Sequence, residues 1–427
     1  MADAPAIVTT RRAMAPLHPI RPAGRAMIDG IPGGIVDGKP PHDGGKRQTG
    51  AAGRRRKEEK MDIEVEIRAR TPIWTACARP SASFPYGHWP MWAERPMAEE
   101  ADGPFDRIRP DALLASMRWW FDAAMRALDQ RVCDAPDGVR CGACVACRTF
   151  AQVAATVTVD ATEPIPAGIM AAERTRGWGW ATPPARVGAF RLRLSGDDVA
   201  VARLAALLAL LERIGGIGMR LPEGYGAYAI IADGDPLDAV IATASWPPPA
   251  ARRRRSAADV LPDLRDVVVA RCVIRPRVPG WWTGLAPIIP AARRVQPLVQ
   301  RGMAPVASAV HAALERRTDL RRPARRAVFG ALPPAARPAR VAVTWAFRDD
   351  PPSDPAAPWR GPWRAHAAVW TGGLSAAVRA RVESAVADPS LWSAALGDNA
   401  DVEVSVARLD DADGVIQALR GGAPGAP

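Results

Sequence analysis

The sequence predicts an α+β fold built from two successive β-α-β-β-α-β units, a ferredoxin-like (RRM-like, βαββαβ) arrangement in tandem, with a zinc-binding insert in the first unit. Three observations carry this reading. Strands with alternating polarity and helices with three-and-four spacing follow one another in that order from Met61. The order then recurs after a Pro- and Arg-rich stretch. Between the first helix and the next strand, four cysteines crowd into 15 residues with the spacing C-x7-C-x2-C-x2-C.

Taken in order, Ile63, Val65 and Ile67 alternate with charged residues and predict a strand over 62–70. A loop rich in Trp, Pro and Arg follows over 71–108. Leu114, Met117, Phe121, Met125 and Leu128 then mark one face of a helix over 111–129, with Asp111 as the expected N-cap just after Pro110. A further strand is expected between 152 and 182. Val187–Leu194 reads as a strand, 197–214 as a helix capped near Asp197, Gly215–Gly226 as a glycine-rich loop and Tyr225–Ala232 as a strand. Trp246-Pro-Pro-Pro and the run Arg252–Arg255 open a linker over 246–263. The second unit is expected as a strand near 265–275, a helix near 303–316 and strands at 340–347 and 365–371. A helix at 374–388 and a strand at 402–408 complete it, and a Pro-rich insert spans Asp349–Pro362. Arg148-Thr-Phe-Ala and Ala327-Val-Phe-Gly occupy matching places after the first helix of each unit. The boundaries are therefore 61–245 for the first domain, with its zinc insert at about 131–150, then 264–410 for the second and 411–427 for a tail.

Residues 1–60 differ from the rest. They lack hydrophobic periodicity, carry all four lysines and end in Arg-Arg-Arg-Lys-Glu-Glu-Lys. They are expected to be a disordered tail, a basic arm or sequence upstream of a true start at Met61. Arg11-Arg12 is followed by no apolar core of a signal segment, and the apolar stretch Val199–Leu211 is short and broken by Arg203, so no membrane span is expected.

The composition excludes several chemistries. The net charge is +12, yet from Met61 onward there are 45 arginines and no lysine. A Walker A loop, a pyridoxal Schiff base and a lysine nucleophile are absent from that region. Arginine suits bidentate phosphate contacts, although coding bias towards arginine accounts for much of the count. The excess points to an anionic partner. Gly215-Gly-Ile-Gly joins a helix to a strand, the reverse of a dinucleotide-binding turn, so that reading is rejected. The loop either lets a backbone such as a phosphodiester chain approach, with Arg220 as a phosphate contact, or meets structural demands for unusual dihedrals.

Cys133, Cys141, Cys144 and Cys147 have the spacing of a closed tetrahedral zinc shell, which leaves no open position for water and is therefore structural. An iron–sulfur cluster or disulfides are the chemical alternatives. Cys77 and Cys272 read as buried small hydrophobes. His88, His311 and His366 have no matching nucleophile. Asp102 and Asp106 lie in the 71–108 loop, and RNA cleavage with one aspartate needs only a positioned 2′-hydroxyl and often a metal. Trp89, Trp92, Trp178 and Trp180 lie near Arg79, Arg95, Arg107, Arg174 and Arg176, a mixture that can stack bases and neutralise phosphates, or plug interfaces of a larger assembly.

The stretch Ile108–Leu128, with Met117-Arg118-Trp119-Trp120, resembles the first-helix signature of RAMP-superfamily CRISPR proteins, most of all the first RAMP subunit of the type III-B Cmr module. The cysteine cluster running into Cys147-Arg-Thr-Phe150 is similar to that family's zinc insert, and Gly215–Gly226 to its glycine-rich loop. Ala115 and Ala151 stand where the family carries glycines, and Pro222-Glu223 interrupts the loop. The resemblance implies a cytoplasmic, non-catalytic subunit that holds CRISPR RNA and target RNA near the 3′ part of the guide and contacts sister RAMP subunits. The RNA contacts expected are Arg79, Arg107, Arg109, Arg118, Trp119, Arg174, Arg176 and Arg220, with Gly215, Gly216, Gly218, Gly224 and Gly226; Arg118 alternatively pairs with Asp122 one turn on. The alternatives from other classes are an RNA endonuclease of the same superfamily and a zinc-stabilised protein-interaction module.

Overall fold

A computed structural model describes residues 60–75, 107–133, 141–165, 185–218, 221, 224–231, 236–249, 263–282, 298–330, 339–349 and 360–421. All of them belong to the compact unit Arg55–Pro427. The tail over 1–60 therefore lies outside the described residues except for Lys60.

The first half opens with β1 (Lys60–Ala69) and α1 (Pro110–Ala127). A short helix, α2 (Val145–Ala151), leads into β2 (Val153–Asp160). A two-residue ladder joins β3 (Glu163–Pro164) to β4 (Arg186–Val187). Then come β5 (Ala189–Asp197), α3 (Asp198–Ile214), β6 (Tyr228–Ile231) and α4 (Pro236–Ala242). The sheet order is β2-β5-β1-β6, antiparallel at every pairing, with Ile67 opposite Phe190 and Ile230. The alternation of β1 does what the sequence demands: Val65, Ile67 and Ala69 are buried and Asp62, Glu64 and Arg68 exposed. Gly188, at φ 115°, breaks the strand expected from Val187, because a side chain there would meet the Ala161 carbonyl.

The second half also mixes strands and helices. β7 (Val267–Pro276) is followed by β8 (Met303–Ala304), α5 (Ala307–Thr318) and α6 (Arg322–Phe329). Then come β9 (Val341–Val343), β10 (Ala346–Phe347), β11 (Trp363–Trp370), α7 (Ala376–Ala387), α8 (Pro389–Ala395) and β12 (Ala400–Arg408). Its sheet runs β12-β7-β11-β10-β8, with β9 also on β11. The single strand expected over 340–347 is split. Thr344 donates its N–H to the His366 carbonyl, while Trp345 turns its N–H to the Gly224 carbonyl of the first half. Met303 and Ala304, expected in a helix, pair with β10 instead. The motifs Arg148–Ala151 and Ala327–Phe329 do fall in equivalent short helices, where Phe150 packs on Phe121 and Phe329 on His311.

Two boundary expectations need correction. The segment 411–427, read as a tail, contains the helix α9 (Ala412–Leu419), capped by Asp411 and burying Val415, Ala418 and Leu419. Its carbonyl end is held by Arg213 from α3, which reaches the Gly421 carbonyl at 3.2 Å and the Ala418 carbonyl. The linker expected over 246–263 begins with a buried Trp246 stacked near Phe121 and ends with a buried Asp263 that holds Arg265 at 3.0 Å. Several contacts among the described residues join the two halves. Trp119 and Trp120 of α1 pack on Trp370 of β11, with ring centres 5.4 Å away in both cases. Arg265 crosses to Asp129 at 2.9 Å.

Candidate metal centre and nucleic-acid interface

The cysteine cluster is built by the end of α1 and the start of α2. Cys144 is the N-cap of α2, its sulfur accepting the Cys147 N–H at 3.3 Å. Cys141 in turn accepts the Cys144 N–H at 3.3 Å, and Cys133 accepts the Cys141 N–H at 3.1 Å. These turns fold the four sulfurs inward until all lie within 4.8 Å of one another. The Cys133–Cys147, Cys133–Cys144 and Cys141–Cys147 sulfur separations are 3.2, 3.6 and 3.9 Å. A tetrahedron with metal–sulfur bonds of about 2.3 Å has edges of about 3.8 Å, so one ion fits the donor set. The described cysteines form no disulfide.

The protons of the cluster are unevenly held. Burial pushes the Cys133 and Cys144 thiols up. Hydrogen bonds from Cys133 and from backbone N–H groups draw exposed Cys141 down to about 6. Burial is the largest influence on Cys147 and works against its thiolate, but the hydrogen bonds from Arg118, Cys133, Cys144 and the Gly142 N–H together outweigh it and lower the value.

Arg118 is therefore the charged neighbour of the cluster. Its guanidinium donates to the Cys147 sulfur at 3.1 Å, stands 4.0 Å from Asp122 one turn on, and lies 5.5 Å over the Phe150 ring. Arg118, expected among the RNA contacts, has a side chain 14% exposed and engaged with Cys147 and Asp122. Cys272 is buried in β7, as expected, and burial pushes its thiol well up; Cys77 lies outside the described residues.

The glycine-rich loop serves a different purpose from an open cradle. Gly216, Gly218, Gly224 and Gly226 are buried. Ile217 donates to the Gly226 carbonyl at 2.9 Å and Gly226 to the Pro72 carbonyl at 2.9 Å. Gly218 donates to Ser116 of α1 at 3.1 Å. A methyl group on Gly215 would stand 2.7 Å from the Trp120 ring. On Gly224, at φ 93°, it would stand 2.5 Å from Trp345 and 2.8 Å from Ala307, both in the second half. The described glycines bring backbone close to backbone and to tryptophan, and Gly224 among them meets the second half.

The remaining candidates divide cleanly. Arg107 is exposed. Arg109 is the N-cap of α1 without a side-chain cap, and its guanidinium meets Asp111 at 2.8 Å. Asp111 is thus not the cap expected, because Pro110 already sets the helix start and needs no N–H partner there. Trp119 is half-buried against Trp120 and Trp370, so it is a packing residue between the halves. Arg79, Arg174, Arg176 and Arg220 lie outside the described residues, as do Trp89, Trp92, Trp178, Trp180, His88, Asp102 and Asp106. His311 is half-buried with Nε2 2.9 Å from the Val341 carbonyl, and His366 faces Phe347. Ala115 and Ala151, in place of glycines, are exposed and crowd nothing. Sequence reading missed the arginines of α5 and α6. Their signal was a local run, Arg316-Arg317 and Arg321-Arg322 followed by Arg325-Arg326, with few acids beside it.

No family model matches the chain and no curated relative does. Among solved structures, the chain is similar to the apo crystal structure of Cmr1 from Pyrococcus furiosus at 13% identity. That match covers 81% of this chain and 98% of the other, with a TM-score of 0.35. Among the described residues, no helix is long and apolar enough to cross a membrane.

Proposed function

We propose that the chain is an RNA-binding, non-catalytic structural subunit of a type III CRISPR ribonucleoprotein effector. In this reading it is cytoplasmic, helps hold CRISPR RNA and target RNA, and contacts sister RAMP subunits in antiviral defence. One observation carries the reading. The three sequence features behind the resemblance, far apart in the chain, converge on α1. Arg118 of its Met-Arg-Trp-Trp motif holds Cys147, Trp120 fills the space left by Gly215, and Ser116 accepts the Gly218 N–H. Unrelated motifs would have no reason to meet there. The strand orders β2-β5-β1-β6 and β12-β7-β11-β9 support two ferredoxin-like halves. Exposed Arg107 and the loop arginines 79, 174, 176 and 220 are the proposed RNA contacts from the first half.

Cys133, Cys141, Cys144 and Cys147 would hold a structural zinc ion, which supplies a covalently rigid corner between α1 and α2. The close sulfur spacing favours a single ion over an iron–sulfur cluster, whose several irons would spread the thiolates apart. Arg118 would offset part of the negative charge of four thiolates. Replacing Arg118 by Met is expected to weaken zinc retention roughly 10–100-fold in competition with a chelator. Unchanged retention would remove Arg118 from that role.

The test of the function is binding of the full chain to a labelled CRISPR repeat–spacer RNA across a salt series, with the same samples run on a denaturing gel in magnesium. Salt-sensitive binding with intact RNA is the expected result. Cleavage abolished by Asp106→Ala would replace the structural reading with a nuclease. Zinc retention with no RNA binding, alone or with sister subunits, would leave an interaction module.

A further inference from the structure

We infer that the arginine face formed by the end of α5 and by α6 is a phosphodiester-binding surface for single-stranded RNA, an inference that rests on the RNA-binding reading above. Arg316 and Arg317 in the last turn of α5, and Arg321, Arg322, Arg325 and Arg326 at and along α6, are all exposed. Two contacts make the surface continuous. Arg325 pairs with Glu315 across α5 and α6, and Arg317 reaches Asp388 at 3.2 Å, at the junction of α7 and α8. Beside them a hollow of about 540 Å³ is lined by Arg317 and Arg381, with Thr318 and Ser384 as further hydrogen-bonding groups and one acid, Asp319.

Arginines on the exposed faces of the two sheets, by contrast, are paired with acids: Arg193 meets Asp62, Arg191 stands 3.6 Å from Glu64, Arg275 meets Glu403 and Arg277 meets Asp401. Among the described residues, Arg316, Arg321, Arg322 and Arg326 meet no carboxylate. Arg321 and Arg322 also stand at the N-terminus of α6, the positive end of its dipole, with no acid in the first turn and no side-chain cap. That placement costs stability in the free chain and favours an incoming anion.

The chemistry of the face selects the anion. A membrane surface would need exposed apolar side chains to insert, and on α6 Val328 is buried and Phe329 packs on His311. A protein interface would need an apolar or aromatic centre, which these residues lack. A phosphate backbone needs only charge and donors. The sheet face of the first half, by contrast, carries Asp62, Glu64 and Glu66 beside Arg191 and Arg193, and none of the stacking aromatics of an RRM surface. The strand is therefore assigned to the helical side of the second half and away from the first sheet.

The test is anisotropy of a labelled single-stranded RNA with the full chain, from about 50 to 200 mM salt. The variant replaces Arg316, Arg321, Arg322 and Arg326 by Gln, all at exposed positions, with circular dichroism as the folding control. If all four meet phosphates, the slope of log K against log salt falls by about 3, at roughly 0.7 per phosphate. A second variant with Arg191, Arg193, Arg275 and Arg277 replaced by Gln removes the same net charge and is expected to keep the slope. Equal losses in both variants overturn the assignment in favour of net charge. Wild-type binding with an unchanged slope in the first variant overturns this surface alone. Failure of the wild type to bind at any salt, even with sister subunits, overturns the RNA-binding reading itself. Loss of binding to phosphatidylserine vesicles, with RNA binding intact, identifies a membrane surface instead.

Discussion

At the scale of single residues, the chain uses glycine and histidine where space and solvation leave little choice. Gly224 has φ 93° and faces Trp345, Ala307 and the Val343 carbonyl, whereas Gly373 has φ 70° and open space around it. Gly224→Ala therefore incurs overpacking and backbone strain together, an expected loss of about 2–4 kcal/mol, against about 1 kcal/mol for Gly373→Ala. Urea unfolding of the two variants checks the difference. His366 gives a pH dependence. Burial holds its imidazole down to about 3, and the charges of Arg271, Arg70 and Arg364 act in the same direction. The unfolded chain takes up a proton near pH 6.5 that the folded chain refuses. Stability from this group is complete above about 6.5 and is lost as pH falls from there towards 3, by at most about 1.4 kcal/mol per pH unit. His311, also lowered by burial, acts with the same sign. Substituting His366 by Leu is expected to flatten the pH dependence of the urea midpoint between about pH 4 and 6.

At the scale of elements, α1 is the piece on which the others depend. Leu113, Met117, Trp120 and Phe121 bury one side against the first sheet and its neighbours, Arg118 binds the cysteine turn, and Trp119 faces the second half. The C-terminal helix α9 shows how a weak sequence signal becomes an element. Eight residues do not hold a helix in water, and α9 persists because Val415, Ala418 and Leu419 are covered and Arg213 caps its end. Ending the chain after Leu409 removes that cover, with an expected loss of about 3–6 kcal/mol from the exposed apolar partners. Thermal unfolding and limited proteolysis of the shortened chain measure it; an unchanged midpoint would mean that α9 is idle.

At the scale of the whole unit, repetition and fusion coexist. The first half carries a four-stranded sheet and the second a six-stranded one, each with a short helix after its first long one, and Gly224, the Trp119–Trp120–Trp370 cluster and the Arg265–Asp129 pair tie them together. Contacts of that kind couple the two cores, so one cooperative transition is expected for the described unit, and Trp370→Ala is expected to lower its stability by about 3 kcal/mol. Calorimetry resolving two wild-type transitions would show that these contacts are too weak to couple them.

What the sequence determined by itself is local. The alternation of β1, the Asp197 cap of α3 and the inward turn of C-x2-C-x2-C follow from neighbours a few residues apart, where period and hydrogen-bond reach leave few options. The same locality explains the misses. Asp111 reads as a cap until Pro110 fixes the helix start, and residues 340–347 read as one strand until Gly224 takes the Trp345 N–H. Only the tertiary structure decided that Arg118 serves a cysteine, that the described glycines join two halves and that residues after 411 form a helix. The partners of these groups lie tens to hundreds of residues away, and whether a guanidinium, a backbone N–H or an apolar helix face is satisfied depends on what the fold brings against it.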